Sequence, residues 1–178
     1  QQSCGACGAG NRTNTGASTG AAQCIACDAG QFSTSSAVSS CTGCVAGNYM
    51  AQSGQQSCIS CPTGKYKSDA GQQSCDVCGA GNRTDTGTNE GGQECIACLP
   101  GTVSTNSAVG SCTACPTGTY KSIAGQQSCG ACAAGNRTNT GTSTGASQCI
   151  ICDAGQFSTD SAVNSCTACS AGEFVAQS

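Results

Sequence analysis

Ten Cys-x-x-Cys pairs divide the chain at nearly fixed intervals, and this spacing restricts the fold more than any other feature. All 20 cysteines of the 178 residues belong to these pairs, and successive pairs begin 17 or 20 residues apart. Self-similarity at so short a period is typical of a repeat protein. The sequence therefore predicts one continuous array over residues 1–178. We number its repeats 1 to 10, with the bounds 4–23, 24–40, 41–57, 58–74, 75–94, 95–111, 112–128, 129–148, 149–165 and 166–178.

The composition explains why these repeats need cross-links. The chain has no Trp and no His, and only 3% of its residues are aromatic and 8% charged. Such a chain cannot bury enough apolar surface to offset the entropy of folding. Its cysteine content is typical of a disulfide scaffold. A net charge of -3 disfavours nucleic acid or an anionic membrane as a partner, and no apolar run has the length of a membrane span.

A glycine follows the second cysteine of every pair by three residues. Ten occurrences predict a turn with positive φ, which only glycine adopts without strain. These glycines are Gly10, Gly30, Gly47, Gly64, Gly81, Gly101, Gly118, Gly135, Gly155 and Gly172. All six aromatic residues lie two positions further on, at Phe32, Tyr49, Tyr66, Tyr120, Phe157 and Phe174. In the three 20-residue repeats, which we call long repeats, that position is Arg12, Arg83 or Arg137.

The loop lengths predict short strands. The residues between cysteines leave room for two strands and a turn, but none for a helix. We expect a small disulfide-rich repeat fold, an elongated rod of stacked irregular β-hairpin loops with little or no helix and no globular core. The sequence near the end, GEFVAQS, parallels GNYMAQS at 47–53, which continues with GQQSC, while the chain opens with QQSC. This match predicts an excerpt of a longer array, or a subunit that joins copies of itself head to tail.

Two repeats carry a motif that resembles known families. Cys-Pro-Thr-Gly-x-Tyr is followed at a thirteen-residue spacing by Cys-x-x-Cys, from Cys61 to Cys78 and from Cys115 to Cys132. This pattern resembles the cysteine-rich domains of tumour-necrosis-factor receptors and, more closely, ephrin-receptor-like cysteine-rich repeats. A looser likeness is to protist cysteine-rich surface antigens. The resemblance implies an extracellular, elongated, disulfide-laddered fold that serves adhesion, ligand binding or surface coating.

The resemblance also implies a disulfide pairing, in which the second cysteine of each pair bonds to the first cysteine of the next. The implied bonds are Cys7–Cys24, Cys27–Cys41, Cys44–Cys58, Cys61–Cys75, Cys78–Cys95, Cys98–Cys112, Cys115–Cys129, Cys132–Cys149 and Cys152–Cys166. Cys4 and Cys169 are left over and are expected to pair outside the fragment. An interleaved scheme, which joins first to first and second to second cysteines, stays open at this point.

Other cysteine chemistries fit the sequence less well. The spacing Cys-x2-Cys-x13-Cys-x2-Cys would suit a tetrathiolate zinc site. However, each pair could then bind zinc together with either the preceding or the following pair, and the chain lacks His and basic clusters. A thioredoxin-like redox centre needs a helix to lower the pKa of one thiol. We therefore expect disulfides, no metal and no cofactor.

The sequence Asn-Arg-Thr occurs once in each long repeat, at Asn11, Asn82 and Asn136. Each is an N-glycosylation acceptor if the chain passes through a secretory pathway. An ordinary polar turn is the simpler explanation for one such motif, but three at the same position favour modification. The Ser and Thr runs could carry O-linked sugars. Asp28 and Asp153 could bind calcium, although no second carboxylate is fixed beside either.

No catalytic pattern is present, because the chain lacks His, a repeated carboxylate pair and a phosphate-binding loop. We therefore predict a non-enzymatic, secreted or cell-surface structural glycoprotein that forms a surface fibril, coat or stalk, with copies of itself and covalent glycans as its partners. The alternative is a receptor or adhesin ectodomain that binds a protein or a glycan. A specific recognition site usually breaks repetition locally, and the only such breaks are repeat 4, with Lys65 and Lys67, and the Thr-Asn-Glu loop at 88–90.

Overall fold

The computed structural model describes residues 3–175, which form short antiparallel hairpins linked by turns. Its strands are β1 (Asn11–Thr13), β2 (Cys24–Ala26), β3 (Gln31–Phe32), β4 (Thr42–Gly43), β5 (Asn48–Tyr49), β6 (Ile59–Ser60), β7 (Lys65–Tyr66), β8 (Asp76–Val77), β9 (Asn82–Thr84), β10 (Cys95–Ala97), β11 (Thr102–Val103), β12 (Thr113–Ala114), β13 (Thr119–Tyr120), β14 (Gly130–Ala131), β15 (Asn136–Thr138), β16 (Cys149–Ile151), β17 (Gln156–Phe157) and β18 (Thr167–Ala168). Within residues 3–175 there is no helix, and thus none that could cross a membrane. The predicted disulfide-rich hairpin fold is confirmed, while the rod-like shape stays a prediction.

Each hairpin joins one repeat to the next. The strand after a glycine turn pairs with the two residues between the cysteines of the following Cys-x-x-Cys pair. Tyr49 of β5, for example, lies opposite Ile59 of β6, and Phe32 of β3 lies opposite Thr42 of β4. The residues between the two cysteines of a Cys-x-x-Cys pair therefore lie in a strand, which the sequence pattern does not predict.

The chain divides into two compact units. The first contains the residues up to Cys78 together with Thr84–Cys95, and the second contains Gly79–Arg83 together with the residues from Ile96 onward. In the first unit a parallel bridge joins Tyr66 to Gly92. The same bridge recurs in the second unit between Tyr120 and Ala146.

The interior of both units consists mainly of cysteine. In the first unit Cys27, Cys44, Cys61 and Cys78 are 0% exposed, and in the second Cys98, Cys115 and Cys132 are at most 1% exposed. The aromatic rings lie further out. Those of β3, β5, β7 and β13 are half-buried, while Phe157 and Phe174 are exposed. Disulfides therefore occupy the place that large apolar side chains hold in an ordinary core.

Candidate functional site

Nine disulfides close the loops of the chain. The second cysteine of each pair is joined to the first cysteine of the next, with Cα atoms 5.5–5.8 Å apart, an ordinary disulfide separation. The bonds are Cys7–Cys24, Cys27–Cys41, Cys44–Cys58, Cys61–Cys75, Cys78–Cys95, Cys98–Cys112, Cys115–Cys129, Cys132–Cys149 and Cys152–Cys166. These are the pairs that the family resemblance implies, and none is interleaved. Cys4 is exposed, Cys169 is half-buried, and both are free thiols.

The buried second cysteine of a pair is held by the backbone as well as by its sulfur. In the first unit the Cys27 N–H donates a hydrogen bond to the Gly10 carbonyl at 2.9 Å, and the Cys27 carbonyl accepts one from the Gly54 N–H at 2.8 Å. In the second unit Cys98 makes the same two bonds with Gly81 and Gly125, each at 2.9 Å. Each such cysteine thus connects its own repeat to the repeats before and after it.

The glycines that follow the cysteine pairs all adopt the predicted positive φ, between 77° and 87°. We call these positions the first turn. Several of them also lack space for a side chain. A Cβ atom on Gly10 would collide with the Gly54 carbonyl two repeats further on, and one on Gly81 would collide with the Gly125 carbonyl. Glycine at the first turn therefore satisfies a steric requirement in addition to the conformational one.

A second turn lies four residues before each closing cysteine. Its residue has positive φ in every one of repeats 1 to 9, and its N–H donates to the second cysteine of the preceding pair in most of them, as Gly54 does to Cys27. In repeats 2, 6 and 9 this residue is alanine, with φ of 59–61° at Ala37, Ala108 and Ala162. Sequence reasoning missed these left-handed alanines, and their fixed distance from the closing cysteine is the signal that could have identified them.

The three Asn-Arg-Thr motifs begin the first strand of each long repeat. Asn11 Nδ2 donates hydrogen bonds to the carbonyls of Gly8 and Ala9, each at 3.3 Å. Asn82 and Asn136 make the equivalent pairs of bonds at 3.2–3.3 Å. These asparagines are half-buried, and the amide nitrogen that a glycan would modify is the atom that braces the turn.

Asn48 shows that this contact does not need a glycosylation motif. It occupies the same position in repeat 3, is followed by Tyr-Met, and donates from Nδ2 to the Ala46 carbonyl at 3.3 Å. Turn geometry thus accounts for asparagine here without modification. Glycosylation of Asn11, Asn82 and Asn136 stays a prediction.

The enlarged loops of the long repeats are closed by one side chain. Asn14 Oδ1 accepts hydrogen bonds from the N–H groups of Ala22 and Gln23 at 3.1 and 3.4 Å. Asp85 does the same in repeat 5 with Gln93 and Glu94, at 2.9 and 3.4 Å. Desolvation raises the pKa of Asp85, but the backbone N–H donors, led by Gln93 and Glu94 and followed by Thr86 and Asp85 itself, together outweigh it and lower the pKa below its ordinary value. In repeat 8, Asn139 Oδ1 accepts from the N–H groups of Ser147 and Gln148 at 3.1 and 3.4 Å. Of the three loops, only the one in repeat 5 therefore carries a charged closure.

The residues considered for metal binding lie apart. Asp28 is exposed, and Asp153 Oδ2 lies 3.9 Å from Arg137 Nη2. Within residues 3–175, no group of three His, Cys, Asp or Glu side chains could hold a metal ion. A tetrathiolate zinc site would need free thiols, whereas all but Cys4 and Cys169 are disulfide-bonded.

Comparison with known proteins gives one family. The family model described as tyrosine-protein kinase ephrin type A/B receptor-like matches residues 47–89 and 101–149, just over half of the chain. Both Pro-Thr-Gly-x-Tyr motifs lie within these segments, so the resemblance inferred from them is confirmed. No curated protein matches the chain.

Proposed function

The chain belongs to the ephrin type A/B receptor-like family of cysteine-rich repeats, and from this membership we propose that it is an extracellular structural glycoprotein, a stiff element of a surface fibril, coat or stalk. Repeats of this family are non-catalytic, receptor-type ectodomain modules. Nine disulfides fit an oxidising, extracellular compartment. The observation that carries the proposal is the buried second cysteine, which combines one disulfide with two backbone hydrogen bonds at six positions in the two compact units, namely Cys27, Cys44, Cys61, Cys98, Cys115 and Cys132.

This uniform bonding suits a mechanical role. Closing a loop of about 15 residues stabilises a fold by roughly 3 kcal/mol in the chain-entropy model, whereas burying one aromatic ring contributes roughly 1.5 to 3 kcal/mol. The rings here are at most half-buried, so the disulfides dominate in every repeat. Stability is then generated locally, and an array can lengthen without a larger core.

The proposal is tested by the dimensions and protease resistance of the oxidised chain. Solution scattering should give a maximum dimension on the order of 100 Å, because ten repeats each add about two strand spacings. The oxidised chain should resist trypsin and elastase, and reduction should abolish that resistance. A small, spherical scattering envelope would contradict the structural role, as would equal digestion of the oxidised and reduced chains.

Head-to-tail assembly is the second part of the proposal. Cys4 and Cys169 are the thiols left free, and Cys169 lines an open hollow of about 560 Å³ with Phe157, Phe174 and Val175. Phe174 is 84% exposed, which suits burial against a second copy. Non-reduced peptide maps should contain a Cys4–Cys169 peptide between copies, and Cys4→Ser should remove the covalent oligomers while leaving the nine internal disulfides. A chain that stays monomeric with both thiols alkylatable would remove this part of the proposal.

Glycosylation is tested with a matched pair of variants. Thr84→Val destroys the motif at Asn82 and leaves the turn contacts of the asparagine, but it also removes the hydrogen bond that Thr84 Oγ1 donates to the Gly87 carbonyl at 2.9 Å; Asn82→Gln destroys the motif and the turn contacts. The readout is therefore mass: if Asn82 carries a glycan, secreted protein should lose one glycan mass in either variant. An unmodified peptide containing Asn82 in the wild-type protein would leave only the turn role.

The alternative function is a receptor or adhesin ectodomain that binds a protein or glycan partner. The receptor-type family supports it. So does repeat 4, because its two lysines break the repetition locally: Lys65 lies in β7, and Lys67 Nζ donates to Asp76 Oδ2 at 3.1 Å. A saturable ligand for the monomer, lost on Lys65→Thr, would favour this alternative. Thr119 is the matching residue of repeat 7, so the substitution uses a side chain that the fold already accepts.

A further inference from the structure

The repeats other than the three long ones, which we call short repeats, carry one aromatic ring each, with repeat 6 as the exception. The ring stands two residues after the first-turn glycine, at Phe32, Tyr49, Tyr66, Tyr120, Phe157 and Phe174. Repeat 6 has Val103 at this position. Phenylalanine and tyrosine both occur there, so the fold accepts a ring with or without a hydroxyl group. Repeat 6 is therefore the one short repeat that lacks its own ring.

The hairpin of repeat 7 shows where such a ring lies. Tyr120 pairs with Gly130, the first residue between the cysteines of the next pair. A Cβ atom built on Gly130 would lie 3.7 Å from Tyr120 Cε1, so the ring lies against the residue opposite it. Val103 lies opposite Thr113 in the same register. A ring at position 103 would therefore lie against Thr113.

In repeat 6 this place is an open hollow. The hollow has a volume of about 400 Å³, and the residues that line it include Val103, Thr113, Ala114, Pro116, Gln127 and Cys129. Val103 is 7% exposed, which puts it at the floor. Thr113, Ala114 and Pro116 are exposed, so the hollow can be reached from solvent. A short side chain in place of a ring thus leaves an accessible hollow at the position of the ring.

The lining of the hollow suits a neutral ring. Val103, Ala114 and Pro116 supply apolar surface, and none of the described residues that line the hollow is charged. Two of its walls are also fixed in place. Thr119 Oγ1 donates a hydrogen bond to the Pro116 carbonyl at 2.7 Å, and Cys129 is held by its disulfide. A preformed site loses little entropy on binding, and an apolar cavity left by a shortened side chain can bind benzene.

We propose that the hollow at Val103 binds an aromatic side chain, phenylalanine or tyrosine, of a partner protein. This side chain takes the place of the ring that repeat 6 lacks. The rings of β3, β5, β7 and β13 are half-buried in their own hairpins, so the ring comes from another molecule. Aromatic side chains that fill pockets are frequent anchors of protein interfaces. The proposal rests on the alternative function given above, the receptor or adhesin ectodomain, and names a contact site for its partner.

The test uses the oxidised full chain with ¹³C-labelled valine and threonine methyl groups. The probes are N-acetyl-phenylalaninamide and N-acetyl-tyrosinamide, and N-acetyl-leucinamide at the same concentrations controls for apolar contact without a ring. The readouts are the methyl resonances of Val103 and Thr113, because an aromatic ring shifts the resonance of a methyl group that lies against its face. Thr42, which already lies opposite Phe32, is the internal reference.

Two substitutions exchange the matched repeats. Val103→Phe supplies the ring within the chain, as Phe32 does in repeat 2. It should abolish the response of Thr113 to the aromatic probes without lowering the urea midpoint, because it fills an open hollow. Phe32→Val leaves valine opposite threonine in repeat 2, the pair that repeat 6 has. It should make Thr42 respond to the same probes.

Both aromatic probes should shift the Val103 and Thr113 resonances saturably, whereas the leucine probe should not. An equal response to the leucine probe, a linear shift, or an unchanged response in Val103→Phe would overturn the proposal. A Thr113 shift that depends on protein concentration without any probe would place a ring of a second copy in the hollow and contradict an outside partner. A partner whose binding is lost on Lys65→Thr but kept in Val103→Phe would leave the receptor function standing without this site.

Discussion

Each repeat turns the chain twice, and glycine is needed for different reasons at the two turns. At the first turn Gly10 and Gly81 have positive φ and no room for a Cβ atom. At the second turn Gly71 also has positive φ, but a Cβ there would meet nothing within 4 Å. Alanine occupies the second turn in three repeats and the first turn in none, although the first turns at Gly135, Gly155 and Gly172 have open space for a Cβ atom. The comparison separates the conformational requirement from the steric one.

Gly81→Ala should produce the largest effect. The substitution combines left-handed strain, about 1–2 kcal/mol, with a collision against the Gly125 carbonyl, which costs a further 1–3 kcal/mol or so as the backbone shifts. We expect a loss of about 3 kcal/mol in the free energy of unfolding, measured by urea denaturation of the oxidised chain. The control is Gly155→Ala, also at a first turn with positive φ but with open space around it. Equal losses in the two variants would show that sterics contribute nothing.

Gly71→Ala should cost less. It introduces the left-handed strain without a collision, and the stiffer unfolded chain offsets part of that strain. A loss of about 1 kcal/mol is expected in the same urea experiment. If Gly71→Ala were as damaging as Gly81→Ala, the distinction between the two turns would fail.

The reverse substitution at the second turn should stabilise the protein. Ala37→Gly relieves the strain at a φ of 60°, although glycine gains entropy in the unfolded chain. We expect a gain of up to about 1 kcal/mol. Ala108→Gly and Ala162→Gly lie in other repeats, so their gains should add in the triple variant. A destabilised triple variant would mean that contacts of the alanine methyl groups stabilise the fold by more than the backbone strain at these positions destabilises it.

The smallest expected effect is a pH dependence of the local stability of repeat 5, whose second-turn residue is Gly91. The folded-state pKa of Asp85 is depressed, so its stabilising contribution is complete above the unfolded value of 3.8 and is lost as pH falls through the folded value. Amide exchange at Gly91 should therefore accelerate relative to Gly20 and Gly145 as pH falls below 3.8 and through the folded-state pKa. Asp85→Asn, which copies Asn14 and Asn139, should abolish the difference. An unchanged ratio in the wild type would contradict the charged closure.

The features that could be predicted from the sequence are mainly those that recur from repeat to repeat. The invariant glycines predict their positive φ, because few other causes produce ten identical positions. The motif around Cys61 and Cys115 identifies the family, and through it the pairing of neighbouring cysteines. The lack of Trp and of long apolar segments predicts a fold without an ordinary core. The glycine turns and the lack of an ordinary core needed only spacing and composition, whereas the cysteine pairing was implied by the family resemblance.

What depends on packing could not be predicted in this way. Alanine as a residue type carries no signal for left-handed backbone, so only the fixed distance of Ala37 from the closing cysteine could have indicated its positive φ. Lys121 is 2% exposed whereas Lys67 is half-buried, although the two lysines stand in nearly identical sequences. Asn11 stands in a glycosylation motif, so the sequence alone does not indicate its hydrogen bonds to the turn carbonyls. Asn48 makes a similar bond without such a motif, but that bond is known only from the structure.

The sequential disulfides also decide which peptide bonds keep the molecule in one piece. Covalently, the oxidised chain is a string of closed rings, and neighbouring rings are joined only through the residues between the two cysteines of a pair. A single cut inside a ring leaves both fragments attached, whereas a cut at Thr42–Gly43 or Ile59–Ser60 would sever the string. Those connecting residues are β4 and β6, paired in hairpins, and extended pairing shields a backbone from proteases, which bind unpaired segments. The hairpins thus protect the only bonds whose loss would separate the array.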